Sequence, residues 1–239
     1  MGIAKMGVWR VVRGGAVYRP VMPPPDLLTK LMQASRASGW AVEVADALQI
    51  ALLKLRAAEI GLIPVQNRRG DETVSVLTPT TAERARPASI SATVGTGQQP
   101  LHTDGAHHRR VPDYVLMWAS TTNSTPTRIW SPWQSIKPED TSGMFVVRSG
   151  GDTFLAAAVT KKHLRYDSGC MTPADATARR LQQALQAPPV EEVHEVHWHT
   201  PNTVLLLRNH VVLHGRAAAT QADADRRLER MSFLEEDGS

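Results

Sequence analysis

The chain has 239 residues, 42% of them hydrophobic and 21% charged, with a formal net charge of +4. That length supports one domain with a substantial core rather than two independent domains, and the charge content argues against a disordered polyelectrolyte. No apolar run approaches the ~20 residues that a membrane span needs.

Cys170 is the single cysteine, which forbids an internal disulfide and fits a reducing compartment. The opening MGIAKMGVWRVVRGG has no continuous apolar run or small-residue cleavage site, so no secretory signal is expected. Met6 stands where a myristoylation signal needs Ser or Thr. The expected address is cytoplasmic, with no membrane partner. The sequence pI of about 9.5 raises nucleic-acid binding, but the basic pairs Lys161-Lys162, Arg179-Arg180 and Arg226-Arg227 are scattered. No zinc-finger, basic-helix or aromatic RNA-binding signature accompanies them, so no nucleic-acid partner is expected.

Helical signals come first along the chain. After Pro23-Pro24-Pro25, Asp26 opens a helix that puts Leu27, Leu28, Leu31 and Met32 on one face and stops at Gly39. A second helix is predicted from about Val42 to Ile60, with Val44, Leu48, Leu52 and Leu55 as its apolar stripe. A third is predicted to open at Thr172-Pro173-Ala174-Asp175, with Thr172 as cap, and to end before Pro188-Pro189.

The remainder reads as short strands: Thr73–Thr78, Tyr114–Ala119, Met144–Arg148, Phe154–Val159, Val193–His199, Thr203–Arg208, Val211–His214 and Arg226–Phe233. Many strands after a helical N-terminal third predict an α+β protein with a sandwich or barrel core, of which a jelly roll is one form.

Leu101-His102-Thr103-Asp104-Gly105 is the sharpest local motif. On an extended segment His102 and Asp104 share a face, so an imidazole and a carboxylate can hold one divalent metal. The third ligand is sought in His214 of Arg208-Asn209-His210-Val211-Val212-Leu213-His214-Gly215-Arg216. Two His and one carboxylate suit a non-haem iron centre with open positions. Beyond it, alternation in Arg226-Arg227-Leu228-Glu229-Arg230 turns Arg226, Leu228 and Arg230 one way and Arg227 and Glu229 the other. Two inward guanidinium groups beside a metal suit a small dicarboxylate.

With these segments in view, the chain resembles the Fe(II)/2-oxoglutarate-dependent oxygenases of the taurine dioxygenase and clavaminate synthase type. The matching stretches are PLHTDGAHHRRVPDYVLMWA, PTRIWSP, RNHVVLHGR and RRLERMSF, with LRYDSGCMTP a looser match, and they run from about residue 100 onward. The resemblance implies a double-stranded β-helix (jelly roll) with flanking helices. It also implies a single oxygenase domain over residues 1–239, with a helical third to about 70 and the core from about 71.

The resemblance further implies Fe(II) on His102, Asp104 and His214, and 2-oxoglutarate as cosubstrate with its distal carboxylate on Thr127 and Arg226. Arg230 assists the cosubstrate or holds an anionic substrate. Thr125 is a rival to Thr127, because Asn123-Ser124-Thr125-Pro126 replaces the usual Gly-Gly. The implied reaction consumes O2 and 2-oxoglutarate and oxidises a C–H bond of a small molecule, such as an amino acid or natural-product intermediate bearing a carboxylate. Hydroxylation, desaturation and cyclisation all stay open. Related halogenases carry a small residue where Asp104 stands, so halogenation is not expected.

Other side chains stand beside this set. Arg165 and Asp167 are candidate substrate contacts. His194, His197 and His199 read as a half-exposed strand, and His107 and His108 as residues of a surface loop near the entrance. Ser91 and Thr93 with Gly95-Thr96-Gly97 read as a flexible segment over the iron, and Cys170 as a small buried residue. Two other readings are carried: a His/Asp zinc hydrolase on a cupin-like scaffold, and a non-catalytic jelly-roll binding protein. Oligomeric state is not legible.

Overall fold

The computed structural model describes residues 26–68, 70–161 and 163–236; the expectations for the first 25 residues and for Lys162 lie outside them. α1 (Leu27–Ser38) forms as expected. Asp26 caps it by accepting from the Leu28 and Thr29 amides, and Gly39 ends it in a left-handed conformation.

The predicted second helix divides. Its first residues form strand β1 (Trp40–Val44), and α2 (Ala47–Glu59) begins only after Asp46, whose side chain closes a capping box with Gln49. α2 turns Leu53 and Ala57 inward, while Val44, Leu48 and Leu55 are exposed. The predicted apolar stripe is therefore corrected. The misreading came from counting β-strand residues into the helical period.

After α2 come β2 (Leu62–Val65), β3 (Val74–Leu77), a short helix α3 (Ile90–Val94), β4 (Tyr114–Ala119) and β5 (Asn123–Trp130). No strand is predicted over residues 123–130, because Pro126 and a polar run disguise one. β5 nevertheless pairs on both sides, with a register break at residues 196–198 of its partner that falls opposite the proline region.

β6 (Met144–Ser149) and β7 (Asp152–Ala157) form a hairpin, and β8 (Val159–Thr160) and β9 (His163–Leu164) a smaller one, so the predicted 154–159 strand is broken at Ala158. Next, β10 (Met171–Pro173) carries the residues expected to cap the third helix. α4 (Ala176–Gln186) starts later, with Asp175 as the cap accepting from the Ala178 amide. β11 (His194–Trp198), β12 (Thr203–Arg208), β13 (Leu213–Arg216) and β14 (Leu228–Glu235) complete the chain. The 211–214 strand thus begins two residues later than predicted, because a turn carries the Val211 amide back to the Arg208 carbonyl.

All strand pairs are antiparallel. The largest sheet runs β1-β12-β4-β14-β2, with β3 also on β14, and a three-stranded sheet runs β11-β5-β13. Val115, Met117 and Ala119 of β4 and Leu205 and Leu207 of β12 pack with Ile129, Val196 and Trp198 from the second sheet. The alternate residues Leu116, Trp118, Val204, Leu206, Met231 and Phe233 pack with α1 and α2. Both faces are covered, which explains why β4 and β12 read as continuous apolar runs. A third cluster joins α4 to β6 and to Trp130, Tyr166 and Leu213.

Candidate active site

His102 and His214 face each other as an isolated antiparallel bridge, each amide donating to the other's carbonyl at 2.9 Å. The pairing brings residues 112 apart in sequence into register, with their rings 4.9 Å apart. Gly215 makes the approach possible. A Cβ there would stand 3.0 Å from the Pro100 carbonyl oxygen and 3.1 Å from that of Gln99. Gly105, at φ +66°, then turns the chain where a side chain would meet His108 and Pro112 at 2.8 Å.

The result is a group of His102, Asp104 and His214 in which one ligand atom from each lies within 4.8 Å of the others, all three residues buried. His102 Nε2 is 3.6 Å and His214 Nε2 3.9 Å from the carboxylate oxygens of Asp104. Nδ1 of His102 lies 3.0 Å from the Pro100 carbonyl, which presents Nε2 toward the group when Nδ1 carries the proton. Burial lowers the pKa of His214 to about 3, with His102 and Arg230 adding to the effect against the pull of Asp104. It is therefore neutral, as a metal ligand must be. For His102, burial pulls downward, but the hydrogen bond and charge of Asp104 and the charge of Asp167 carry the pKa above its ordinary value. Burial would raise that of Asp104, yet Arg230 and the two imidazoles hold it well below the usual carboxylate range.

Asn209, which sequence reasoning passed over, fixes the carboxylate ligand from behind. It is fully buried. Its Oδ1 accepts from the Asp104 amide at 3.0 Å, and its Nδ2 donates to the carbonyls of Asp104 at 2.9 Å and Pro112 at 2.8 Å. Thr103 is tied to Tyr166 by two further bonds.

The group opens onto a cavity of about 460 Å³, whose lining includes Thr127, Arg226, Arg230, Asp167, His107, Met117 and Leu228. The expected shared face of Arg226, Leu228 and Arg230 is realised, and Arg227 is exposed. Thr127 is on the wall, and its Oγ1 accepts from Trp198 Nε1 at 3.2 Å, leaving its own proton free to donate. Thr125, its rival, instead donates to Asp223, which Ser124 also engages. Arg226 is 5% exposed and gives Nε to Asn123 Oδ1 at 3.1 Å. No carboxylate among the described residues lies within ion-pairing distance of it. Burial, and then Arg216, lower its pKa to about 10, so it stays cationic at neutral pH. Arg230 donates Nη1 to both carboxylate oxygens of Asp104, at 2.8 and 2.9 Å.

Asp167 lines the cavity, but Arg165 does not. The guanidinium of Arg165 donates to the carbonyls of Ala106, His108 and Arg109, at 3.0, 2.7 and 2.9 Å. It clamps the loop after the metal motif. Ser91 and the glycines after Thr93 belong to α3 and its exit. Arg216, also missed, grips that exit through the carbonyls of Gly95, Thr96 and Gly97. His197 and His199 stack on each other, and among the described residues only His102, Asp104 and His214 gather as a metal-holding group.

No family model matches the chain, and no curated protein matches its sequence. Solved structures do. Asparagine oxygenase in complex with Fe(II), (2S,3S)-3-hydroxyasparagine and succinate is similar with a TM-score of 0.67 and 17% identity, over 87% of this chain and 79% of that one. The non-haem iron oxygenase OrfP with Fe, succinate and (3S)-hydroxy-L-Arg gives 0.66 and 18%, over 89% and 80%. OrfP with Fe and α-ketoglutaric acid gives 0.65 and 18%, over 88% and 79%. The chain shares the fold of these two non-haem iron oxygenases.

Proposed function

We propose that the protein is an Fe(II)- and 2-oxoglutarate-dependent oxygenase that oxidises an unactivated C–H bond of a small molecule, by hydroxylation, desaturation or cyclisation. The observation that carries this reading is Arg226: a buried cation without a carboxylate partner, on the wall of the cavity that holds His102, Asp104 and His214. A buried charge demands compensation. The distal carboxylate of 2-oxoglutarate would supply it, with the Thr127 hydroxyl donating alongside.

The donor set fits iron. Two imidazoles, one of them oriented by a backbone carbonyl, and one carboxylate form the facial set suited to an iron centre with open positions. His102, Asp104 and His214 would hold the metal, Asn209 and Pro100 would orient two of those ligands, and Met117 and Leu228 would keep part of the wall dry. Iron with 2-oxoglutarate and O2 supplies oxidative decarboxylation to succinate and CO2, coupled to oxidation of the substrate. The chain's part is to hold the target bond close and exclude water and competing bonds.

A double-stranded β-helix belongs to the same proposal. The facing antiparallel sheets, with helices outside them, and the likeness to asparagine oxygenase and OrfP support it. So does a single domain, because α1 and α2 share a core with the sheet that carries Arg230. Among the described residues no helix is long and apolar enough to cross a membrane, and the free Cys170 supports a cytoplasmic, reducing setting.

The test is iron-dependent conversion of 2-oxoglutarate to succinate. We expect slow uncoupled turnover by the wild type and none by His102→Ala. If iron-loaded, folded protein neither binds nor converts 2-oxoglutarate, the oxygenase reading fails. Tight zinc binding would then favour the hydrolase, and no metal requirement the binding scaffold.

A further inference from the structure

We propose that the substrate is a small anion and that Arg84, at the mouth of the cavity, is a residue that selects it; this rests on the oxygenase reading above. Six arginines line the cavity, Arg68, Arg84, Arg86, Arg216, Arg226 and Arg230, against two carboxylates, Asp104 and Asp167. Arg86 is neutralised by Asp71, which it grips at 3.1 Å. Arg68 and Arg216 are oriented by backbone carbonyls, the former by those of Pro87 and Ala88. A carbonyl dipole orients a guanidinium but does not cancel its charge.

Loading the site does not remove the excess. A divalent iron and the dianion of 2-oxoglutarate carry equal and opposite charge, so together they leave five arginines facing two carboxylates. Low-dielectric walls focus such a field and raise the local concentration of oppositely charged ligands. A cationic side chain meets repulsion there, and a neutral one gains nothing.

Arg84 gives the excess a location. It is exposed, and its side chain has no hydrogen bond, ion pair or ring contact among the described residues. Its backbone is fixed in a turn, with its amide donating to the Thr81 carbonyl at 3.2 Å. On the inner wall Arg230 has a buried Nε without a partner, and its Nη1 rests on Asp104, the carboxylate that the metal would claim. The cavity thus offers one free guanidinium at its mouth and one releasable guanidinium inside. Both can form charge-assisted bonds with a carboxylate, phosphate or sulfonate.

The test uses matched pairs: L-aspartate and L-asparagine, L-glutamate and L-glutamine, and O-phospho-L-serine and L-serine, with L-arginine added. Each is titrated calorimetrically at low ionic strength into protein loaded with Ni(II) and 2-oxoglutarate. We expect the acidic member of at least one pair to bind about tenfold or more tightly than its neutral partner, with L-arginine weakest. Arg84→Gln should reduce that preference about tenfold and leave Ni(II) and 2-oxoglutarate affinity unchanged. Added salt should weaken the preference. Equal binding within every pair, no binding by any acidic member, strongest binding by L-arginine, or a preference intact in Arg84→Gln overturns the proposal. Failure of 2-oxoglutarate itself to bind strikes the oxygenase reading first, and this proposal falls with it.

Discussion

Removing the amide of Asn209 tests whether the carboxylate ligand is held from behind. Asn209→Ala deletes three hydrogen bonds at a fully buried position and leaves the Asp104 amide and the carbonyls of Asp104 and Pro112 without that partner. At about 1 kcal/mol for each buried bond the loss is about 3 kcal/mol. That is well inside the ~5–15 kcal/mol that stabilises a typical domain. The variant should therefore fold, with Tm lowered by about 6–12 °C for a chain of this size. A purely structural role ends there. A positioning role also loosens Asp104, so Co(II) or Fe(II) affinity of the folded variant, measured by equilibrium dialysis well below its Tm, should fall about 10–100-fold. Wild-type metal affinity at lowered Tm would show that Asn209 does not position Asp104, and an unchanged Tm that its three bonds contribute nothing.

Further outcomes follow from the same geometry. Gly215→Ala places a methyl group against the Pro100 and Gln99 carbonyls. Since Pro100 anchors the His102 ring, metal affinity should drop about tenfold; unchanged affinity in dialysis would contradict this. Arg226→Ala should raise the 2-oxoglutarate concentration for half-saturation about 10–100-fold while iron stays bound, and Thr127→Val should do so about fivefold. An Arg226→Ala variant that titrates like wild type would place the cosubstrate on another cation. Burial, reinforced by the charge of Asp167, raises the Cys170 thiol to a pKa of about 12. The reactive thiolate form is therefore scarce at pH 8, and alkylation by iodoacetamide should rise about tenfold per pH unit from pH 8 to 10. A plateau near pH 9 would show an ordinary thiol.

The metal group was legible because its signals are local. H-x-D places two ligands on one face of an extended segment, and period-two alternation correctly grouped Arg226, Leu228 and Arg230. His214 was the candidate third ligand, the resemblance supported it, and the antiparallel bridge between His102 and His214 shows how the two meet. What escaped the sequence depends on distant partners. Asn209 reaches residues 97 and 105 positions away, and Arg216 reaches carbonyls up to 121 away, separations at which no spacing rule operates.

Arg165 looked like a substrate contact because a charged pair beside Tyr166 is unusual in simple packing. Its guanidinium gives three hydrogen bonds to backbone carbonyls of the loop after the metal motif, partners that no local pattern reveals. The choice between Thr125 and Thr127 also needed structure. Both are buried, and only the position of Asp223 shows which hydroxyl is already engaged. The split of the second helix was readable in principle, since Asp46 and Gln49 form a capping box, but the apolar period ran through it.

In the proposed site iron and 2-oxoglutarate meet at His102, Asp104 and His214 beside Arg226. The most direct measurement is anaerobic: add Fe(II) and then 2-oxoglutarate, and record the weak visible metal-to-ligand charge-transfer band of the chelate. The band should appear with wild type, be absent from His214→Ala, and need much more 2-oxoglutarate in Arg226→Ala. Folded, iron-loaded wild-type protein that never develops the band would contradict this site.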